Sequence, residues 1–395
     1  MRAKTFLATA LAGRVVSRLR STPEHRRRRA RGRARGGTLP WAAAGAALGV
    51  GAAALAPRPH TTRLAGKVAL VTGGSRGLGL RLAREFGERG ASVVICARDG
   101  GELDRAVADL EGRGVPVRAV RCDVRDPDGA EHLVREAETA FGHLDFVVNN
   151  AGIIQVGPHE VLSEEHFREA METMFWAPLR VSRAALGPLA ETGGHLVNIT
   201  SVGGRLSVPH LLPYSCAKFA EVALSEGLGA EVARRGVRVT TVVPGLMRTG
   251  SHRAAVFTGN AEREYTWFAL GAGLPLVSTD AGRAARRIVE ASARGRSHLV
   301  LTPLAGAVVV ARGLSPSLVQ WAMRVMAGVL PGPPERPEEK RGALADAGLV
   351  NGAVRTATVL NERAAADLNQ EPRHNGRSPG RGRKRERETV PGKDR

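Results

Sequence analysis

Tyr214 and Lys218, near the middle of the chain, have the residue types and the spacing needed for proton transfer. Residues four positions apart lie one turn apart on the same face of a helix, so the two side chains should be neighbours. An ammonium group stabilises a nearby phenolate, and Lys218 should therefore lower the pKa of Tyr214 from about 10 towards neutral pH. Tyr214 can then act as an acid or a base on a carbonyl oxygen, to which Ser201 can donate a second hydrogen bond.

A glycine-rich loop, GGSRGLG at residues 73–79, follows the apolar run KVALVT and precedes a helical pattern. Glycines in such a turn let the backbone approach a pyrophosphate, which then lies against the N-terminus of the following helix. The order is G-x-x-x-G-x-G, and a plain strand-to-helix turn is the alternative interpretation. Because the loop opens a strand–helix–strand unit, we predict a dinucleotide-binding site.

The second strand ends at Ala97 and Arg98, and this pair bears on which dinucleotide is bound. An NAD site favours an acidic residue near this point, which binds the ribose 2′-hydroxyl. Here Ala97 stands at the expected acidic position, while Arg98 and the loop residue Arg76 offer two cations to a 2′-phosphate. The sequence therefore favours NADP(H) over NAD(H); the alternative is that both arginines are surface residues.

Short apolar runs alternate with amphipathic, helix-like segments from residue 67 onwards. The runs are Val68–Thr72, Ser92–Cys96, Val115–Cys122, Leu144–Asn149, His195–Thr200, Val237–Val243 and His298–Thr302. Short strands separated by helices imply crossover connections and a parallel sheet that is covered on both faces. We predict an α/β, doubly wound Rossmann fold with a seven-stranded parallel sheet, whose ligand binds beyond the carboxyl ends of the strands.

The net charge of +20 is concentrated at the two ends of the chain. Residues 1–63 carry 14 Lys and Arg against one acid, and residues 333–395 carry 14 against ten. The stretch 64–332 keeps 30 basic and 27 acidic residues, a net charge of only +3. This argues against nucleic acid as a partner, although binding through the Arg-rich arm is kept as a third hypothesis. Three cysteines are too few for a four-cysteine zinc site, and no metal is expected.

The predicted domain organisation has five parts. Residues 1–38 form a basic, disordered extension, and residues 39–57 form an Ala- and Gly-rich apolar segment. A marginal membrane anchor, a disordered extension and a cleaved export signal are the three interpretations of this N-terminal part. Residues 64–312 form the catalytic domain, 313–332 an amphipathic helix that packs on the domain or a second copy, and 333–395 a disordered, charged tail.

Several motifs that occur in order between Leu64 and Thr302 resemble those of the short-chain dehydrogenase/reductase family. They are TGGSRGLG (72–79), CDV (122–124), NNAG (149–152), Ser201, YSCAK (214–218) and PGLMRT (244–249). The resemblance implies an NAD(P)-dependent oxidoreductase with a single Rossmann domain that acts on CH–OH groups or the corresponding carbonyls.

The resemblance also implies roles for single residues. Ser201 would orient the substrate carbonyl, Tyr214 would exchange the proton, and Lys218 would lower the tyrosine pKa and hold the nicotinamide ribose. Asp123 and Val124 would contact the adenine. The other predicted cofactor contacts are Gly73, Ser75, Arg76, Gly77, Leu78, Gly79, Arg98, Asn150, Ala151, Gly152, Tyr214, Pro244, Gly245 and Thr249.

One residue departs from the family pattern. In the helix after NNAG the family has an asparagine, within a phrase resembling V-N-F-x-G, whereas this chain has Met174 within TMFWA (173–177). A thioether cannot make the hydrogen bonds of an amide. We therefore expect a water relay to Lys218 that is rerouted, or a proton transfer that is impaired.

The substrate lid of the family corresponds to residues 250–277, which contain Phe257, Tyr265, Trp267 and Phe268. Such a lid favours a lipophilic substrate; packing of the lid on the domain is the alternative. We predict NADPH-dependent reduction of a lipophilic ketone or aldehyde by a homo-oligomer, located in the cytoplasm or associated with a membrane through 39–57. The second hypothesis is a weakly catalytic or non-catalytic NADP(H)-binding regulatory or scaffold protein.

Overall fold

A sheet of seven parallel strands forms the centre of the computed structural model, which describes residues 62–273, 278–345 and 352–370. The strands are β1 (Val68–Thr72), β2 (Ser92–Ala97), β3 (Val117–Arg121), β4 (Phe146–Asn149), β6 (His195–Ile199), β7 (Arg238–Val243) and β11 (His298–Val300). Their order is β3-β2-β1-β4-β6-β7-β11. Every pairing within this sheet is parallel, which confirms the predicted Rossmann architecture.

The helices connect the strands and cover the sheet. They are α1 (Gly77–Glu88), α2 (Gly100–Glu111), α3 (Pro127–Phe141), α4 (Glu164–Met171), α5 (Ala177–Thr192), α6 (Leu212–Val232), α7 (Ser251–Ala254), α8 (Ala261–Gly273), α9 (Ala281–Ala293), α10 (Pro303–Leu314), α11 (Pro316–Ala327), α12 (Gly342–Ala345) and α13 (Gly352–Asp367). A π-helical turn, Glu172–Trp176, joins α4 to α5.

Strand β1 shows why both faces of the sheet are apolar. Ala69 and Val71 belong to a core cluster shared with α1, α2 and α9, whereas Val68 and Leu70 belong to a second cluster shared with α3 and α5. Successive side chains of a strand point to opposite faces, so a strand buried on both sides reads as a continuous apolar run. All five residues of β1 are buried.

Two small sheets lie outside the central one. Their strands are β5 (Gln155–Val156), β8 (Leu246–Arg248), β9 (Val256–Gly259), β10 (Ser278–Asp280) and β12 (Glu338–Arg341). Strand β9 lies between β5 and β12, and β8 pairs with β10. The predicted lid, residues 250–277, thus folds as α7, β9 and α8, while 274–277 lie outside the described residues.

The lid aromatics pack largely on one another. The ring centroid of Phe257 lies 5.5 Å from that of Tyr265 and 5.8 Å from that of Phe268, and all three side chains are buried. Trp267 is half-buried, and its indole N–H donates to Glu264. These aromatics share one buried cluster with Val156 and Leu211, so they pack the lid on the domain, which was the alternative to a substrate-lining role.

The C-terminal part of the chain differs from the disorder expected over 333–395. Strand β12 pairs antiparallel with β9, and helix α13 follows in sequence. Ala345, Ala365 and Leu368 are buried, so a few small apolar side chains anchor a segment whose composition is otherwise charged. Residues 371–395 lie outside the described part of the chain.

The amphipathic helix expected at 313–332 is α11, which follows α10 directly. Its apolar residues Leu318, Trp321 and Val325 are each more than half exposed, so they do not pack on the domain. The predicted segments 1–38 and 39–57 lie outside the described residues. No helix within the described ranges is long and apolar enough to cross a membrane.

Candidate active site

The loop between β1 and α1 has a shape that requires glycine. Gly73 and Gly77 have φ angles of 62° and 57°, in the left-handed region that side chains rarely adopt. A Cβ atom at Gly79 would overlap the carbonyl oxygen of Gly73 and lie 2.6 Å from Nδ2 of Asn150. The loop thus forms a bare backbone cradle at the N-terminus of α1, which fits a dinucleotide phosphate.

The NNAG motif is tied to this loop by hydrogen bonds. The Thr72 hydroxyl accepts from the backbone N–H groups of Asn150 (2.9 Å) and Ala151 (3.1 Å). The Asn150 carboxamide donates to the carbonyl oxygens of Thr72 and Gly73, at 2.9 and 3.3 Å. The structure therefore brings Asn150, Ala151 and Gly152 to the predicted cofactor cradle, at the ends of the neighbouring strands β1 and β4.

Arg76, one of the two arginines expected beside the ribose 2′-position, and its neighbour Ser75 are held by an acid that the sequence analysis missed. The Ser75 hydroxyl donates to Glu102 at 3.0 Å, and the Arg76 guanidinium binds the other carboxylate oxygen at 3.1 Å. Arg98 is 57% exposed and has only a long contact, 3.9 Å, with Asp123. An acid in the first turn of the helix after β2 was the sequence signal for Glu102.

The CDV motif supplies a partly buried acid, Asp123, and a core residue, Val124. Burial would raise the pKa of Asp123, but hydrogen bonds from Arg125 hold that pKa below its usual value. Asp123 thus stays ionised beside the end of β3. The side chains of Val124 and Leu78 are buried in the core, so only their backbone groups are available to a cofactor.

The PGLMRT segment closes the other side of the cleft. The carbonyl oxygen of Pro244 accepts from Val202 N–H at 2.8 Å. A Cβ at Gly245 would lie 2.6 Å from the hydroxyl of Thr302. The Thr249 carbonyl oxygen is 4.0 Å from the position of a Cβ at Gly77. The loop after β1 and the residue that follows β8 therefore lie close together.

Tyr214 and Ser201 lie on either side of a glycine. A Cβ at Gly203 would be 2.9 Å from Cε1 of Tyr214 and 3.3 Å from the Ser201 hydroxyl oxygen. The Ser201 oxygen accepts a hydrogen bond from Gly203 N–H at 3.0 Å, which leaves its own hydrogen available to a substrate. The tyrosine ring and the serine hydroxyl are therefore close neighbours.

Lys218 is buried one turn after Tyr214, with its ammonium nitrogen 6.0 Å from the centre of the tyrosine ring. The ammonium donates to the Ile199 carbonyl oxygen at 2.8 Å and to the Glu221 carboxylate at 2.6 Å. Burial alone would lower the pKa of Lys218, but the charge of Glu221 raises it above its usual value. Lys218 is thus held as a cation close to Tyr214.

Glu221 is a second residue that the sequence analysis missed. Its side chain is 1% exposed, and burial raises its pKa to about 7 against the opposing effect of Lys218. The available signal was an acid three positions after Lys218 in the apolar stretch of α6.

Met174 is buried among apolar side chains close to Tyr214. It is fully buried in the π-helical turn and packs against Ala170 and Ala217. Its sulfur lies 3.7 Å from the position of a Cβ at Gly152. The side chain that replaces the expected asparagine therefore makes apolar contacts, and the polar partner of Lys218 comes from Glu221 instead.

A groove of about 660 Å³ lies next to the loop that precedes Tyr214. Leu206, Val208 and His210 line one wall, and Val319 and Met323 of α11 line the other. His210 binds Glu264 at 2.9 Å, which gives it a structural role in fixing this loop. Ser201, Tyr214 and Lys218 do not line the groove, so it adjoins the catalytic residues rather than containing them.

The comparisons with known proteins agree with this geometry. The sequence model of the short chain dehydrogenase family matches residues 67–257. A protein named as ketoacyl reductase 1 of the granaticin polyketide synthase of Streptomyces violaceoruber is 37% identical over 185 residues, which is 46% of this chain and 68% of the relative.

Two solved structures are similar over most of the domain. A variant of actinorhodin polyketide ketoreductase with NADPH is 31% identical, with a TM-score of 0.54, and the match covers 62% of this chain and 99% of that one. A short chain dehydrogenase/reductase from Burkholderia phymatum in complex with NAD is 25% identical, with a TM-score of 0.58 and coverages of 65% and 96%. Proteins of this fold thus bind either nicotinamide dinucleotide.

Proposed function

This chain belongs to the short-chain dehydrogenase family, and from that premise we propose that it reduces a ketone or aldehyde with NADPH. Its membership of this family makes the chain an NAD(P)-dependent oxidoreductase that acts on carbonyl or CH–OH groups. One observation carries the proposal: the ring of Tyr214 and the hydroxyl of Ser201 flank Gly203, while the buried Lys218 ammonium lies 6.0 Å from that ring.

Each of the three residues has a distinct part in the proposed reaction. Ser201 donates its free hydroxyl hydrogen to the substrate oxygen and so fixes the carbonyl. Tyr214 gives its phenolic proton to the same oxygen as negative charge develops there. Lys218 stabilises the phenolate that remains, because a cation lowers the pKa of a neighbouring phenol. The nicotinamide, when bound, supplies the hydride to the carbonyl carbon.

Replacement of Tyr214 by phenylalanine tests this assignment. In the full chain, Tyr214→Phe should lower the turnover number at least about 100-fold, because the proton donor is lost. The dissociation constant for NADPH should stay within about twofold, since the ring itself remains. Cys216→Ser, an exposed change on the same helix, is the matched control. Unchanged turnover in Tyr214→Phe would contradict the mechanism. If the unmodified chain binds NADPH but reduces no carbonyl compound, the regulatory hypothesis is favoured.

The preference for NADPH is a separate proposal that rests mainly on Arg98. Arg76 already has a carboxylate partner, Glu102, at 3.1 Å. The exposed guanidinium of Arg98 has a weaker contact, because the carboxylate of Asp123 is 3.9 Å away. Loss of a charge-assisted contact with a 2′-phosphate costs about 1.5–3 kcal/mol. Arg98→Gln should therefore weaken NADPH binding about tenfold or more and leave NADH binding unchanged.

The control for Arg98→Gln is Arg135→Gln, which removes one positive charge from an exposed position on α3. It should leave the affinities for both dinucleotides unchanged. Equal losses for NADPH and NADH in Arg98→Gln would mean that Arg98 acts on a part common to both cofactors, and the proposed discrimination would then be wrong.

We infer a lipophilic carbonyl substrate from the apolar groove beside Tyr214. Leu206, Val208, Val319 and Met323 all line it, and a long apolar chain can bury its surface there. Ketones that differ only in the length of an alkyl chain should show a kcat/KM that rises with length. A flat series would contradict this inference. A homo-oligomer and a cytoplasmic location stay predictions.

A further inference from the structure

The last described residues of the chain, 359–370, which we name the C-terminal strap, lie against two glycines of the proposed dinucleotide site. The carbonyl oxygen of Leu368 accepts a hydrogen bond from Gly77 N–H at 2.9 Å. A Cβ at Gly77 would be 2.8 Å from the side-chain nitrogen of Gln370, and a Cβ at Gly250 would be 3.1 Å from its Cγ. Gln370 therefore lies between the loop after β1 and the segment after β8.

Side-chain hydrogen bonds hold the strap in this place. Arg84, in α1, binds the carboxylate of Asp367 at 3.1 Å and its carbonyl oxygen at 2.8 Å. The carboxamide of Asn369 donates to the carbonyl oxygen of Ser75 at 2.9 Å and accepts from Arg105 at 2.7 Å. The strap is thus fixed to the same loop that forms the phosphate cradle, and to both helices that follow it.

Two carboxamides of the strap bury polar atoms that have no hydrogen-bond partner among the described residues. They are Nδ2 of Asn361 and Oε1 of Gln370. Asn361 is only 1% exposed, and its other side-chain atom accepts from Gly250 N–H at 3.4 Å. Leaving a buried polar group unpaired costs about 1–3 kcal/mol. The Gln370 carboxamide lies beside Gly77, a predicted cofactor contact, and the Asn361 carboxamide lies beside Gly250, the residue after the predicted contact Thr249. A ligand bound there can therefore supply the missing partners.

We propose that the C-terminal strap is a wall of the dinucleotide site and that Asn361 and Gln370 hydrogen-bond the bound cofactor. This inference rests on the proposed function. The free Asn361 atom is a donor and the free Gln370 atom is an acceptor. A dinucleotide offers partners for both, because its phosphate and ribose oxygens accept and its ribose hydroxyls donate. The strap thereby makes cofactor affinity depend on the chain beyond the family domain.

Titration of the full-length chain with NADPH, followed by nicotinamide fluorescence, tests the proposal. Asn361→Ala and Gln370→Ala should each raise the dissociation constant about three- to tenfold, the loss expected for one net hydrogen bond. Arg363→Ala, an exposed change in the same helix, should leave it unchanged. Affinities that are unchanged or increased in both carboxamide variants would overturn the proposal.

Hydrogen exchange of the strap amides, measured with and without NADPH, gives a readout independent of the variants. Exchange over 359–370 should slow when NADPH binds, since the cofactor adds partners to the strap. Faster exchange would mean that the cofactor expels the strap, which overturns the proposal. If the unmodified chain binds neither NADPH nor NADH, the proposed function falls with it. If it binds NADPH and the variants bind equally well, only the strap inference falls.

Discussion

The buried carboxyl of Glu221 makes the stability of this protein depend on pH in a way that one substitution can isolate. Burial raises the pKa of Glu221 from 4.5 to about 7, with Lys218 opposing the shift from 2.6 Å. A carboxyl with a raised pKa in the folded state keeps its proton longer there than in the unfolded chain. The contribution of Glu221 to the free energy of unfolding is then full below pH 4.5 and is lost as the pH rises to about 7.

The size of this effect follows from the shift. One pKa unit corresponds to about 1.4 kcal/mol, so a rise from 4.5 to about 7 corresponds to about 3 kcal/mol. Glu221→Gln keeps the shape of the side chain and removes its titration. The free energy of unfolding of the native chain, minus that of Glu221→Gln, should therefore fall by about 3 kcal/mol between pH 4 and pH 8.

Urea unfolding of both proteins at a series of pH values measures this difference. Titrating groups distant from Glu221 are common to the two chains and cancel. Lys218 does not cancel: without the charge of Glu221 its burial lowers its pKa, which adds to the fall. Glu231→Gln, an exposed change on the same helix, is the control and should give a profile parallel to that of the native chain. Parallel profiles for Glu221→Gln as well would refute the reasoning, because they would mean that Glu221 titrates alike in the folded and unfolded states.

Two further substitutions test the packing of the site. Gly79→Ala should weaken NADPH binding at least tenfold, because the added methyl group would overlap the Gly73 carbonyl oxygen; Gly227→Ala, with open space around it in α6, should keep the affinity and add about 0.5–1 kcal/mol of stability. Met174→Asn should lower the free energy of unfolding by about 1–3 kcal/mol, because a carboxamide would be buried against Ala170 and Ala217. Urea unfolding and NADPH titration check both, and a neutral Met174→Asn would show that polar partners exist there.

The fold could be predicted from the sequence because a doubly wound sheet leaves local traces. Each of the seven strands reads as an apolar run, since its residues are buried on both faces. The motifs that supply Gly77, Asn150 and Ser201 follow such runs, and parallel strands bring their carboxyl ends to one edge. That is why residues far apart in sequence are predicted to share one site.

Composition predicted disorder in a segment that a few specific contacts hold in place. The segment after residue 333 is charged and rich in Pro and Gly, which favours disorder, yet β12 gains backbone hydrogen bonds from β9. The strap likewise depends on individual bonds, such as those of Asn369 to the cradle loop. The enrichment of aromatic residues in the lid is visible in the sequence. That Phe257 and Tyr265 pack against each other is visible only in the structure.

The sequence by itself determined the sheet, the order of the motifs and the spacing of Tyr214 and Lys218, because these depend on neighbours along the chain and on strand ends. Only the tertiary structure decided which charges pair and which of those pairs are buried. Glu221 binds Lys218 and Glu102 binds Arg76 because α6 and the loop after β1 place them within 3.1 Å. Spacing along a helix shows that two charged residues can be neighbours. Whether the pair is shielded from water depends on the residues that pack around it.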